Sequence, residues 1–119
     1  MLDTATTGEV DTLLPLSGGT AFISRQRIVE FAVKRRLPAM YTARDFVEAG
    51  GLVSYGPSFL GLWRRGAYYM DRILKGVKPA DLPVEQPREF ELVINLRTAQ
   101  ALGLTIPQHV LLQATEVIQ

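Results

Sequence analysis

The stretch Gly50-Gly51-Leu52-Val53-Ser54-Tyr55-Gly56-Pro57 leaves the chain few ways to fold. A double glycine ends whatever helix precedes it, Leu52 and Val53 form a short apolar pair, and a Ser-Tyr-Gly-Pro turn follows. A long amphipathic pattern begins at once after the turn. The order is helix stop, strand, loop, helix start. The chain before the stretch therefore builds one α/β layer and the chain after it makes a long return over that layer. Ser54-Tyr55-Gly56 is then either a binding edge or a tight connection.

Upstream, Val10 to Leu16 is a short, mainly apolar run ahead of Ser17-Gly18-Gly19-Thr20, which fits a buried strand ending in a flexible loop. Ser24 is placed to cap a helix running to about Arg36, with Ile28, Phe31 and Ala32 on one face and a basic end at Lys34-Arg35-Arg36. Pro38 to Tyr41 gives a second strand. Thr42-Ala43-Arg44-Asp45 has capping-box spacing and predicts a helix from Ala43 to Ala49 that stops at Gly50. Strands and helices alternating at these lengths predict an α/β fold: a three-layer parallel sheet with flanking helices.

Downstream, Pro57 suits the first turn of a helix and Lys75-Gly76 its end. Phe59, Trp63, Ala67, Met70 and Leu74 recur between them at helical spacing, and Arg64, Arg65, Tyr68 and Arg72 lie largely opposite. Lys78 to Pro87 holds three prolines and reads as an extended connector. Phe90 to Ile94 alternates as a strand, Asn95 is placed to cap a helix from Leu96 to Leu102, and Gly103 ends it. Pro107 is expected to open a last helix with Val110, Leu111, Ala114 and Ile118 inward.

Composition narrows the chemistry. At 119 residues, 47% hydrophobic and 21% charged, the chain suits a single globular domain, with residues 1–9 a disordered or linking segment. A net charge of +1 offers no bulk attraction for nucleic acid. The chain has no cysteine, so disulfides and thiolate metal sites are excluded. Its one histidine, His109, has no acid, serine or cysteine arranged around it and reads as a surface residue. No phosphate-binding glycine loop, nucleophile elbow or metal-ligand spacing is present, so the expectation is a protein that is not an enzyme and uses no cofactor or metal.

What remains is positional. Open α/β sheets bind ligands beyond the carboxyl ends of parallel strands. Here those ends carry Ser17 and Gly18, then Thr42, then Ser54 and Tyr55, a set of hydroxyls, backbone donors and a ring that suits a small polar or aromatic solute. The same residues also serve equally well as caps and packing.

Several ordered motifs resemble one bacterial family. They are Arg36-Leu37-Pro38-Ala39, Gly50 to Gly56, Tyr69 with Asp71, Ile73-Leu74 and Gly76, Pro79 with Leu82-Pro83-Val84-Glu85 and Pro87, and Phe90 to Leu96 with Thr98-Ala99, Leu102-Gly103-Leu104 and Ile106-Pro107. The family is the uncharacterised ABC-transporter substrate-binding proteins, often described as tryptophan/tyrosine transport system periplasmic components. The resemblance implies the C-terminal part of a type I periplasmic-binding-protein fold, with two lobes hinged around a cleft. It makes residues 10–56 the remainder of the C-terminal lobe and residues 57–119 a long helix, connector, strand and terminal helices returning across the hinge. It also implies a periplasmic location, although the chain carries no signal peptide, and it implies a small-molecule solute and ABC permease subunits as partners. With half the cleft absent, a homodimer or swapped assembly is expected. A ligand-sensing or interaction domain of the same fold is the alternative function.

Overall fold

The structure, a computed structural model, describes residues 10–16 and 18–119. Residues 1–9 and Ser17 lie outside the described residues, and with them the linker and the Ser17 contact expected above. The chain groups into two compact units, Met1–Gly56 with Glu91–Gln119 and the intervening Pro57–Phe90. The elements in chain order are α1 (Gly19–Ile23), α2 (Arg25–Lys34), β1 (Met40–Tyr41), α3 (Arg44–Glu48), β2 (Val53–Pro57), α4 (Phe59–Leu74), β3 (Phe90–Asn95), α5 (Leu96–Ala101), α6 (Gln108–Leu111) and β4 (Glu116–Ile118).

The four strands form one sheet in the order β1-β2-β3-β4. β1 and β2 are parallel, with Met40 opposite Val53 and Tyr41 opposite Ser54. β3 and β4 are also parallel, with Val93, Ile94 and Asn95 opposite Glu116, Val117 and Ile118. The middle pair differs. Asn95 N–H donates to the Leu52 carbonyl and Ser58 N–H to the Glu89 carbonyl, both at 2.9 Å, so the partner number falls as the chain climbs. β2 and β3 therefore run antiparallel, and the β1–β2 pair keeps the parallel order that the strand-helix alternation predicts. The predicted first strand shrinks to one parallel bridge, Leu13 to Ala39. Polar Asp11 and Thr12 on one side, and Pro15, which lacks an N–H, on the other, limit it to that pair.

The core of the first unit is a cluster of Val29, Ala32, Ala39, Tyr41, Ala43 and Phe46, with Leu13, Ile28 and Ala49 packed on its rim. Phe46 stacks on Tyr41 with ring centroids 5.0 Å apart, and Phe22 meets Phe46 edge-on at 6.2 Å. That contact explains why helix begins at Gly19 and not at Ser24. The Ala21-Phe22 turn gains an aromatic partner, and Ser24 becomes the joint between α1 and α2, with no side-chain capping bond.

Helix ends follow the backbone chemistry. α3 stops at Gly50, whose φ of 105° suits glycine, and Gly51 N–H returns to the Phe46 carbonyl. Its start departs from the predicted box: the capping residue is Ala43, in extended conformation, and no side chain caps it. α4 opens two residues later than Pro57 would place it, because Pro57 ends β2 and the Ser58 hydroxyl accepts from Gly61 N–H at 3.2 Å. Asn95 does cap α5, accepting from Thr98 N–H at 3.1 Å, while its amide donates to the Val47 carbonyl and the Thr98 hydroxyl donates to the Gly50 carbonyl. Those bonds fix α5 to the α3–β2 corner.

The last predicted helix is a correction. α6 is a single turn, and the chain then forms β4 beside β3. Thr115, Val117 and Ile118 are β-branched and favour a pleated partner, and Thr115 N–H donates to the Leu92 carbonyl at 2.8 Å.

In the second unit, α4 and the proline-rich connector are joined by polar contacts. Arg65 pairs with Glu85 through two hydrogen bonds, one at 2.8 Å, and the Tyr69 hydroxyl donates to the Pro83 carbonyl at 2.6 Å. Apart from a short 3-10 turn at Pro79–Asp81, the connector has no regular structure before β3, as its prolines predict.

Candidate functional site

The parallel pair β1–β2 sends both carboxyl ends to the same side of the sheet, and there the candidates converge. One step past the paired Tyr41 and Ser54, Thr42 runs beside the Tyr55–Gly56 peptide. The approach is tight. A Cβ added at Gly56 would lie 2.0 Å from the Thr42 carbonyl oxygen, so only glycine lets the two backbones meet. Gly56 was placed at this strand end by the sequence, but not among the candidate contacts; its part is to let the backbones approach.

Alternation along β2 separates the two β2 candidates. Ser54 is 1% exposed and lies inside the fold, whereas Tyr55 is 50% exposed. The structure therefore brings Thr42 and Tyr55 together at an accessible edge and places the Ser54 side chain beneath it. Gly18 is exposed, in extended backbone, with open space around the position a side chain would take. Its link to the edge runs through α1, by way of Phe22, Phe46 and Tyr41.

Charge at this edge is already committed. Arg44, two residues beyond Thr42, binds Glu48 at 2.9 Å and Glu116 at 2.8 Å. The hydrogen bond it donates to Glu48 leads the effects that raise its pKa further, so it stays a cation held within the protein. The Arg44–Glu48 spacing was legible on a helix, but Glu116 was hidden by the expectation of helix at the C-terminus.

Two concave regions lie elsewhere. One, of about 630 Å3, runs between α4 and the connector past Arg65, Tyr69 and Glu85. The other, of about 580 Å3, lies beside Val29, Gly50 and Thr98, at the amino end of β2. Neither touches Thr42 or Tyr55. Among the described residues no group of His, Asp or Glu is placed to hold a metal ion, and no helix is long and apolar enough to cross a membrane. His109 is exposed.

A family model described as ABC transporter substrate binding protein matches residues 6–118. Among solved structures, an ABC domain in complex with L-Trp from Streptococcus pneumonia is 34% identical over 97% of this chain and 39% of its own, with a TM-score of 0.87. A conserved domain protein from Vibrio cholerae O1 biovar El Tor is 31% identical over 90% of this chain and 36% of its own, with a TM-score of 0.83. The ligand-free, open structure of CD0873, a substrate binding protein with adhesive properties from Clostridium difficile, shares the fold at 20% identity, covering 98% of this chain and 38% of its own with a TM-score of 0.67. No curated protein matches. The chain spans somewhat over one third of the length of these solved structures.

Proposed function

Because the chain belongs to the family of ABC transporter substrate-binding proteins, we propose that it captures a small polar or aromatic amino-acid-like solute for a bacterial importer. It works in the periplasm, hands the solute to permease subunits and performs no chemistry on it. The observation that carries this reading is the accessible Thr42–Tyr55 edge at the carboxyl ends of β1 and β2, where Gly56 lets the two backbones approach closely. The Streptococcus relative in complex with L-Trp supports an aromatic amino acid as the solute class.

In this reading the Tyr55 ring packs on the solute's apolar or aromatic part. Thr42, with Ser17 and the Gly18 backbone from the loop ahead of α1, takes its polar end, and Ser54 braces the edge from beneath. The chain provides one side of a cleft, and self-association, as a homodimer or swapped assembly, completes it.

Calorimetric titration with L-tryptophan tests the reading. The chain should release saturable heat, and Tyr55→Ala should weaken binding about three- to tenfold, the worth of one aromatic contact of about 0.5–1.5 kcal/mol. No saturable heat with L-tryptophan would reject the solute class. Unchanged affinity in Tyr55→Ala would remove Tyr55 from the site.

A further inference from the structure

Arg44 stands where helix stability does not ask for a cation. It is the first residue of α3, where the helix dipole favours acids, and a basic residue four places ahead of its acidic partner is the weaker order of such a pair. Its other partner accounts for it. Arg44 Nη2 donates at 2.8 Å to Glu116, the first residue of β4 and 72 positions away in sequence.

The sheet register defines what that bond spans. Tyr41 lies opposite Ser54, the Asn95 N–H bond to the Leu52 carbonyl sets Ser54 opposite Val93 in the antiparallel pair, and Val93 lies opposite Glu116. These four residues form one row across the sheet and share a face. Phe46 of α3 stacks on Tyr41, so α3 lies on that face, and Arg44 reaches Glu116 along it past Ser54 and Val93, each 1% exposed. The next row runs Thr42, Tyr55, Leu92, Thr115. Its far end is fastened by two bonds, Thr115 N–H to the Leu92 carbonyl at 2.8 Å and Leu92 N–H to the Thr115 hydroxyl at 3.1 Å. The row that carries Thr42 and Tyr55 is thus spanned, from two residues beyond its first member to one beyond its last, by a single ion pair.

That pair fixes one end of α3. The other end is held separately, by the Asn95 amide on the Val47 carbonyl and the Thr98 hydroxyl on the Gly50 carbonyl. Arg44 holds the end that adjoins Thr42, which leaves a strand only two residues long. With the Glu116 bond broken, α3 keeps its anchor near Gly50 and swings at Thr42, and the close approach of Thr42 to Gly56 shifts with it. The Arg44 and Glu116 side chains are 39% and 45% exposed, so the pair adds little to global stability.

We propose that Arg44 is a positioning residue for the solute: by tying the exit of β1 to the head of β4, it sets the Thr42–Tyr55 spacing that the solute meets. This rests on the solute binding at that edge, as proposed above.

Two variants of Glu116 test it, by calorimetry with L-tryptophan and by amide hydrogen exchange without solute. Glu116→Ala should weaken binding on the order of fivefold. Glu116→Gln, whose amide oxygen still accepts from Arg44, should keep most of the affinity. Without solute, Glu116→Ala should speed exchange at Phe46, in the freed half of α3, about fivefold and leave Gly50 and Gly51 nearly unchanged. Affinity that Glu116→Ala leaves unchanged while Tyr55→Ala lowers it would overturn the positioning role. Exchange that rises equally at Phe46, Gly50 and Gly51 would overturn it also, since the pair would then serve only general stability. A wild-type chain that releases no saturable heat, with exchange still raised at Phe46 alone, would reject the solute reading and keep the tie between α3 and β4.

Discussion

Tyr41→Phe deletes one oxygen from a large, fully buried side chain of the core. Tyr41 is 1% exposed, its ring is stacked on Phe46, and its hydroxyl has no hydrogen-bond partner. A buried hydroxyl without a partner costs about 1–3 kcal/mol in lost hydration, while phenylalanine keeps the ring, the stacking and the fit over Gly51. The variant should therefore gain about 1–2 kcal/mol, or a rise in Tm of several degrees for a chain of this size. Burial also pushes the Tyr41 pKa up to about 12 from its ordinary 10. The folded protein then holds a proton that the unfolded chain sheds, so stability falls as pH rises from about 10 to about 12. The full loss is about 3 kcal/mol for a two-unit difference. Urea denaturation followed by far-ultraviolet circular dichroism at pH 7 and across pH 9–12 reads both effects. The variant should be the more stable at neutral pH and lack this part of the alkaline decline. A loss of more than 1 kcal/mol at pH 7 would show that the hydroxyl is bonded in solution and refute the reasoning.

Gly56→Ala should cost about 1–3 kcal/mol through collision with the Thr42 carbonyl, whereas Gly18→Ala, in open space, should stay within about 0.5 kcal/mol; paired urea midpoints check the contrast. Asn95→Ala removes the α5 cap and the bond to the Val47 carbonyl and should lose about 1–2 kcal/mol, readable as a lower thermal midpoint. Arg36 sits at φ 54° at the end of α2, and Arg36→Gly should gain up to about 1 kcal/mol. An unchanged or lower midpoint would mean that the arginine side chain contributes more than its backbone costs.

Local chemistry was legible wherever one residue decides the matter. Gly50, Gly76 and Gly103 all take positive φ at the helix stops that the sequence marks, and Asn95 caps the helix expected of it. Arg36 was not legible, since nothing in an arginine announces a left-handed turn. Thr42-x-x-Asp45 had the right spacing but the wrong residue, because the chain stays extended as far as Ala43 and the helix starts only after it. The errors of greater consequence are non-local. Val110, Leu111, Ala114 and Ile118 satisfy a helical period, yet β3 offers the same segment an open edge that no window of sequence around it reveals. The antiparallel β2–β3 pair was hidden likewise, for the excursion Pro57–Phe90 turns the chain back on itself. At the candidate edge, Thr42 and Tyr55 followed from the positions of strand ends. A two-residue apolar pair could not say whether Ser54 or Tyr55 faces inward.

Trp63 is the chain's one tryptophan, and it stands 75% exposed on α4 and is not a member of the buried cluster that holds Tyr41 and Phe46. The intrinsic emission of this protein is therefore a report from a single helix. A fluorescence melt would follow the surroundings of α4 and pass over the loss of the core, giving a transition that need not coincide with one read from the backbone.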